Sequence, residues 1–231
     1  LKLGAGCVHA GLLADKPPAV DSIQPELMLH SASCAMHLPD VNVYAVGCGL
    51  GTSITAQQLL YQLLSRNTPL VLDADALNLL ARHGDLQDDL RDRRQSTVLT
   101  PHPGEAARLL GCAAQQIQAD RVAAARQLAQ KFGCSVVLKG ANSLCVTRDG
   151  MLFVNNTGNP GMSSAGMGDV LTGMIAAFIA QDLSADNAMY LAVHLHGAAG
   201  DALAEQHAGI GMTAGELTDW ARYLLNAWLE G

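Results

Sequence analysis

Charge is scarce in this chain, and a cationic surplus is absent. Only 15% of its 231 residues are charged, and 14 Lys and Arg face 21 Asp and Glu, for a net charge of −7. Proteins that grip nucleic acid carry a basic face, so nucleic acid is disfavoured as a partner. A phosphate-bearing small ligand is not disfavoured, because helix N-termini and backbone amides hold phosphate without net positive charge. The six cysteines (Cys7, Cys34, Cys48, Cys112, Cys134 and Cys145) form no C-x-x-C pair. That spacing argues against a zinc site and a disulfide framework and reads as reduced thiols in a cytoplasmic protein. No apolar run reaches the ~18 residues that span a membrane; the longest, residues 170–180, is interrupted by Thr172 and Gly173. No G-x-x-x-x-G-K-[ST] sequence occurs, which argues against a P-loop ATPase. The opening Leu1-Lys2-Leu3-Gly4 has neither an initiator Met nor a signal-peptide pattern, and reads as a processed or truncated end.

What the chain has is apolar material: 49% of its residues are hydrophobic. With no linker or charge block to divide it, residues 1–231 read as one α/β domain. Short β-rich runs alternate with helical patterns, the mark of parallel βαβ units. Strands are expected at 41–46, 70–72, 97–100, 135–138, 143–147 and 152–155. The last two are joined by the tight turn Arg148-Asp149-Gly150, an antiparallel hairpin at the edge of a mostly parallel sheet. Helices are expected from a Thr52 or Ser53 cap to residue 64, shortly after Asp75, at 105–110, and from an Asp120 cap to residue 132. Three more are expected at 169–180, 185–207 and 213–229, with Ser184 and Thr213 as caps.

In such sheets ligands bind beyond the C-terminal ends of the strands. The segments 47–51, 73–75, 101–105 and 139–143 all follow strands, so they are expected on one rim. Residues 156–168 form a loop too long and Gly-rich for a simple connector, ending in Gly166-Met167-Gly168-Asp169 at the start of an apolar helix. Glycine amides and a helix N-terminus suit an anion, and an Asp there can accept the proton of a hydroxyl during phosphoryl transfer, or simply cap its helix. Lys139 ends a strand, where it can reach a phosphate or sit as a surface charge. His102 is held between Pro101 and Pro103. Asp73 and Asp75 suit a water-held Mg²⁺ or a bond to neighbouring turn amides. His194-x-His196 on a helix points to two sides and reads as structural, and the methionines read as packing.

These segments together resemble the ADP/ATP-dependent NAD(P)H-hydrate dehydratase family. The resemblance rests on Asn155-Asn156-Thr157-Gly158-Asn159-Pro160-Gly161-Met162 with Gly166-Met167-Gly168-Asp169-Val170-Leu171-Thr172-Gly173. Val46 to Gly51, Leu72-Asp73-Ala74-Asp75-Ala76-Leu77-Asn78, Leu99-Thr100-Pro101-His102-Pro103-Gly104-Glu105 and Val137-Leu138-Lys139-Gly140-Ala141 agree in order and spacing. Met167 stands where the family usually has Thr. The family's usual first strand, Gly-rich turn and helix have no counterpart ahead of Gly4-Ala5-Gly6.

The resemblance implies a ribokinase-like three-layer αβα fold and repair of hydrated NADH or NADPH (the S form). A ring hydroxyl is phosphorylated by ADP or ATP and leaves as phosphate. It implies Asp169 as the catalytic residue at the hydrate, with Gly51 and His102 also contacting the hydrated dinucleotide. It places Lys139, Gly140, Ala141, Asn142 and Ser143, with Gly166 and Gly168, at the nucleotide. It further implies Mg²⁺, a homo-oligomer, and association with a fused or separate hydrate epimerase.

Other readings compete. A small-molecule kinase of the same fold would share the G-x-G-D turn but leaves 101–105 and 159–162 without a role. A dinucleotide-dependent oxidoreductase is suggested by Gly47, Gly49 and Gly51, but Thr52 breaks the G-x-G-x-x-G pattern. A nucleotide-binding protein without turnover is the third.

Overall fold

A computed structural model describes residues 1–207 and 209–230. The first strands, β1 (His9–Leu12) and β2 (Met28–Ser31), form a separate parallel pair, followed by the single turn α1 (Ala32–Ala35). Then come β3 (Tyr44–Val46), α2 (Ile54–Leu64), β4 (Leu70–Leu72), α3 (Ala74–Arg82), α4 (Gly84–Asp92) and β5 (Thr97–Leu99). They are followed by α5 (Pro103–Leu110), α6 (Ala114–Ala119), α7 (Arg121–Phe132) and the strands β6 (Ser135–Leu138), β7 (Leu144–Val146) and β8 (Leu152–Val154). A 3₁₀ turn, Pro160–Met162, precedes α8 (Met167–Ile179), α9 (Ala185–His207) and α10 (Ala214–Glu230).

The main sheet runs β3-β4-β5-β6-β7-β8, parallel from β3 to β6 and antiparallel thereafter, with the expected edge hairpin. Its central strands are buried on both faces, which is why they read as unbroken apolar runs. Side chains alternate between two cores. Leu70, Leu72, Leu99, Val136 and Leu138 face the layer that contains α2, α3, α5 and α7. Val71, Val98, Val137 and Cys145 face α8, α9 and α10. The result is three layers, helix on sheet on helix.

Arg93 closes the rear of the first layer. Buried at the end of α4, it donates to the carbonyls of Leu63, Leu64, Arg66 and Thr68 and to the Thr97 hydroxyl. Those carbonyls lie in the last turn of α2 and the segment after it, and the guanidinium gathers them together. A cavity of about 810 Å³, lined in part by Leu12, Met36, Val43, Ala45, Ala176 and Ala177, lies between β1 and β3.

Ladder bonds continue just past the strand ends. The amide of Asp73 donates to Val46, that of Thr100 to Leu72, and that of Lys139 to Pro101, at 3.0, 3.1 and 2.9 Å. The ends of β3, β4 and β5 are level (Val46, Leu72 and Leu99 are partners) and β6 runs two residues further, bringing the 47–51 turn, Asp73, 101–105 and Lys139 onto a common rim. β3 begins at Tyr44 rather than at residue 41, because Tyr44 is where the ladder starts, on the carbonyl of Pro69.

Candidate active site

Asp73 is the hub of the rim. It is 1% exposed. Its Oδ1 accepts from the Lys139 ammonium at 2.7 Å and from the Ala74 amide at 2.8 Å, and Oδ2 accepts from the Thr172 hydroxyl at 2.7 Å. The carboxylate thus ties the ends of β4 and β6 to the first turns of α8. Two backbone positions make this possible. Gly47 lies at φ +124°, and a Cβ there would fall 1.8 Å from the Asp73 carbonyl. A Cβ on Gly168 would fall 2.9 Å from the Lys139 ammonium, so glycine lets that charge rest against the opening turn of α8.

Asp75 does a different job. Its Oδ2 accepts from the Gly51 amide at 2.8 Å, pinning the 47–51 turn, in which Gly51 itself has φ +74°. Both aspartates therefore bond turn amides. Asp73 adds an ion pair with Lys139, whose side chain is only 17% exposed. Lys139 is not a surface charge.

Asp169 lies within the first turn of α8, whose N-cap is Gly166 at φ +84° with no side-chain cap bond. It does not occupy the capping position, and its carboxylate is open to the rim. Beside it stands Cys48, which sequence reasoning passed over. The Cys48 sulfur and the carboxylate oxygens of Asp73 and Asp169 all lie within 4.8 Å of one another, the one such group among the described residues. Desolvation, then Asp169 and Asp73, push this thiol up to about 12, with Lys139 opposing. It is therefore a neutral S–H at physiological pH. The only advance signal was its place inside the glycine turn.

The 139–143 segment is shaped by Arg121, another residue without a motif. Its guanidinium donates to the carbonyls of Leu138 at 3.2 Å, Lys139 at 3.5 Å, and Ala141. Gly140 at φ +141° and Asn142 at φ +52° complete the turn, and Ser143 bonds back to the Gly140 carbonyl at 3.0 Å. His102 caps α5: its Nδ1 accepts from Gly104 and Glu105 amides, and the Glu105 carboxylate accepts from the His102 amide. Burial, then Lys139 and Arg108, lower the His102 basicity against a smaller opposing effect of Asp73.

The long loop before α8 is anchored to α9. Thr157 donates to the His194 carbonyl, Asn159 to Gly200 and Asp201, and the Gly158 amide to Asp201. Gly197 and Gly200 leave room for it, since Cβ atoms there would fall 2.2 Å from Thr157 Oγ1 and 2.3 Å from Met162 Sδ. His196 reaches the Met167 carbonyl at 3.0 Å, whereas His194 lies against Trp228. The two histidines thus face different helices and form no ligand pair.

The rim can therefore do three things. It presents amides and an ammonium to an anion at the start of α8, holds one open carboxylate beside them, and flanks both with the shaped turns 47–51, 101–105 and 139–143. All the sequence-assigned residues lie on these turns or at the start of α8.

Comparison with known proteins agrees. A family model described as NAD(P)H-hydrate dehydratase matches residues 1–222. The ADP-dependent (S)-NAD(P)H-hydrate dehydratase of Neisseria meningitidis serogroup B is 44% identical over 229 residues, covering 97% of this chain and 77% of that protein. The bifunctional NAD(P)H-hydrate repair enzyme Nnr of Coxiella burnetii is 38% identical over 229 residues, covering 97% of this chain but 46% of its own length. This chain thus spans less than half of that bifunctional relative. The ADP/ATP-dependent NAD(P)H-hydrate dehydratase of Bacillus subtilis, co-crystallised with ATP/Mg²⁺, superposes with a TM-score of 0.79 at 29% identity, covering 89% of this chain and 73% of that one. The architecture is ribokinase-like, and the chain belongs to the NAD(P)H-hydrate dehydratase family.

Proposed function

We infer that this protein dehydrates the S form of hydrated NADH or NADPH at the expense of an adenine nucleotide. The observation that carries the reading is the open carboxylate of Asp169 in the first turn of α8, beside glycine amides and the Lys139 ammonium that Asp73 holds. A ring hydroxyl placed at Asp169 gives its proton to that carboxylate while its oxygen attacks the terminal phosphorus of ADP or ATP. The bond from that phosphorus to the nucleotide's bridging oxygen breaks. Amides of residues 166–168 and the Lys139 charge oppose the negative charge that builds on the transferring group. The ring C–O bond then breaks with phosphate as leaving group, and loss of a neighbouring ring proton restores the double bond.

Gly51 and His102 are assigned to the hydrated dinucleotide, and residues 139–143 with Gly166 and Gly168 to the nucleotide. Mg²⁺ fits this donor set in one way. It is a hard cation that takes oxygen ligands and is held by one or two carboxylates plus substrate phosphates. Asp169 is open to it, whereas the neutral Cys48 thiol is a poor ligand and Asp73 is engaged with Lys139, Thr172 and Ala74. When bound, the ion would neutralise phosphate charge. Relatives named bifunctional support pairing with a hydrate epimerase, fused or separate, the family resemblance supports a homo-oligomer, and the scattered cysteines support a cytoplasmic setting.

The test is a spectrophotometric assay of hydrated NADH with ADP or ATP and Mg²⁺. Reduced-nicotinamide absorbance should return only when nucleotide is present. Asp169→Asn should lower turnover by about 10²–10⁴-fold, the span of a general base, with nucleotide affinity kept. Near-normal turnover in that variant would remove Asp169 from the chemistry.

A further inference from the structure

Glu105 has no part in the reading above, yet it is buried at the rim with a 7% exposed side chain, and both its oxygens turn toward His102. Oε2 accepts from the His102 main-chain amide at 2.8 Å, and Oε1 lies 3.5 Å from the ring Nε2. The other ring nitrogen, Nδ1, accepts from the amides of Gly104 at 3.0 Å and Glu105 at 3.4 Å. A nitrogen that accepts backbone N–H carries no proton in the neutral ring, so the proton lies on Nε2. The ring also lies against Gly104, where a Cβ would fall 2.8 Å from Cε1. Yet the side chain as a whole is 50% exposed. A 3.5 Å contact is too long to consume a donor. Nε2–H therefore faces the Glu105 carboxylate and is still free to bond a ligand oxygen.

We propose that Glu105 is a positioning residue for His102: its carboxylate holds the His102 main-chain amide and faces Nε2, so that His102, whose tautomer the Gly104 and Glu105 amides set, meets an oxygen of the hydrated dinucleotide as a neutral hydrogen-bond donor and takes no part in proton transfer. This rests on the assignment of His102 to that substrate. The charged groups facing the pair are Lys139 and Arg108, which disfavour a proton on His102, and Asp73, which favours one. Burial makes Glu105 take up a proton earlier on acidification than an ordinary glutamate, with Asp73 acting the same way against the His102 amide, Lys139 and Arg108. Protonation of Glu105 would turn its acceptor into a donor and release the ring.

The experiment pairs two variants of the full chain, with KM and kcat measured for each substrate and ¹⁵N NMR of the imidazole nitrogens. Glu105→Gln keeps the shape but sets an amide N–H₂ against Nε2–H. It should leave the tautomer in place, shift the Nε2 resonance as the ring turns from the amide, and raise the KM for the hydrate about tenfold, with kcat and the nucleotide KM within about twofold. His102→Asn retains a good N-cap while deleting Nε2–H, and should raise the same KM without a loss of folding. If His102→Asn leaves that KM unchanged, the substrate assignment of His102 falls. If it raises KM while Glu105→Gln changes neither KM nor the Nε2 resonance, the positioning role alone falls. A raised Mg²⁺ requirement in Glu105→Gln with an unaltered hydrate KM would assign Glu105 to the metal and overturn the proposal.

Discussion

Asp73→Asn separates a structural ion pair from a metal ligand. The wild-type carboxylate is 1% exposed and accepts from Lys139, Ala74 and Thr172. Asn keeps one acceptor oxygen for the amide or the ammonium but removes the charge that balances Lys139, and its own N–H₂ meets the hydroxyl of Thr172. Breaking a fully buried pair by deleting one partner costs about 3–5 kcal/mol. Lys139 is 17% exposed along its side chain, so water offsets part of that loss, and about 2–3 kcal/mol is expected. For a domain of this size each kcal/mol moves Tm by about 2–4 °C, so Tm should fall by roughly 5–10 °C. Urea unfolding followed by circular dichroism measures the change, with an unaltered slope confirming that the native state stays compact. Lys139→Met added to Asp73→Asn should recover part of the loss, because the uncompensated ammonium is then gone. A Tm within about 1 °C of wild type, with a raised Mg²⁺ requirement, would refute the ion-pair account and make Asp73 a metal ligand.

Two further outcomes follow from the buried and rim groups. Cys48 is exposed, but with its thiol pushed up to about 12 it is ionised on the order of once in 10⁴ molecules at pH 8. Iodoacetamide mapped by mass spectrometry should therefore label exposed Cys7 and Cys34 well before Cys48, and equal rates would refute that environment. His196 is held near 4, chiefly by burial with Lys139 also lowering it, against the bond to the Met167 carbonyl. The unfolded chain binds its proton near 6.5 and the folded chain near 4, so stability falls as pH drops through that window, by about 3 kcal/mol in all. His196→Gln should flatten the slope between pH 6.5 and 4, and an unchanged slope would place the acid sensitivity elsewhere.

The sheet was legible because β4, β5 and β6 are buried on both faces, and their runs of Leu and Val carry that fact in one dimension. The rim was legible because each of those strands ends at a turn-forming residue. The β1–β2 pair was not: its side chains are half exposed, it is short, and it includes His9 and His30. Helix α4 escaped for a similar reason. Its buried side chains are Leu86 and Leu90 alone, set in GDLQDDLRD, too narrow a stripe to stand out. Partnerships across the chain were out of reach altogether. Asp73 and Lys139 are 66 residues apart and meet because β4 and β6 both end on the same rim, and Arg121 shapes the 139–143 turn from the start of α7. Spacing along the sequence holds no trace of either.

The loop before α8 shows how composition and physical role can part. Its glycines suggest freedom, yet Thr157, Gly158 and Asn159 are each bonded to α9, and Gly161 lies so close to Gly209 that a Cβ would fall 2.2 Å from its carbonyl oxygen. Gly197 and Gly200 of α9 are matched to the same contact. Glycine here serves close approach of one segment to another rather than motion. From α9, too, His196 bonds the carbonyl of Met167, the first residue of α8. The amides proposed to meet the phosphoryl group, and the carboxylate of Asp169, are therefore oriented by contacts already made in the folded protein. Donors fixed before the substrate arrives need no reorganisation as charge develops, which is the condition under which backbone amides stabilise a transition state most.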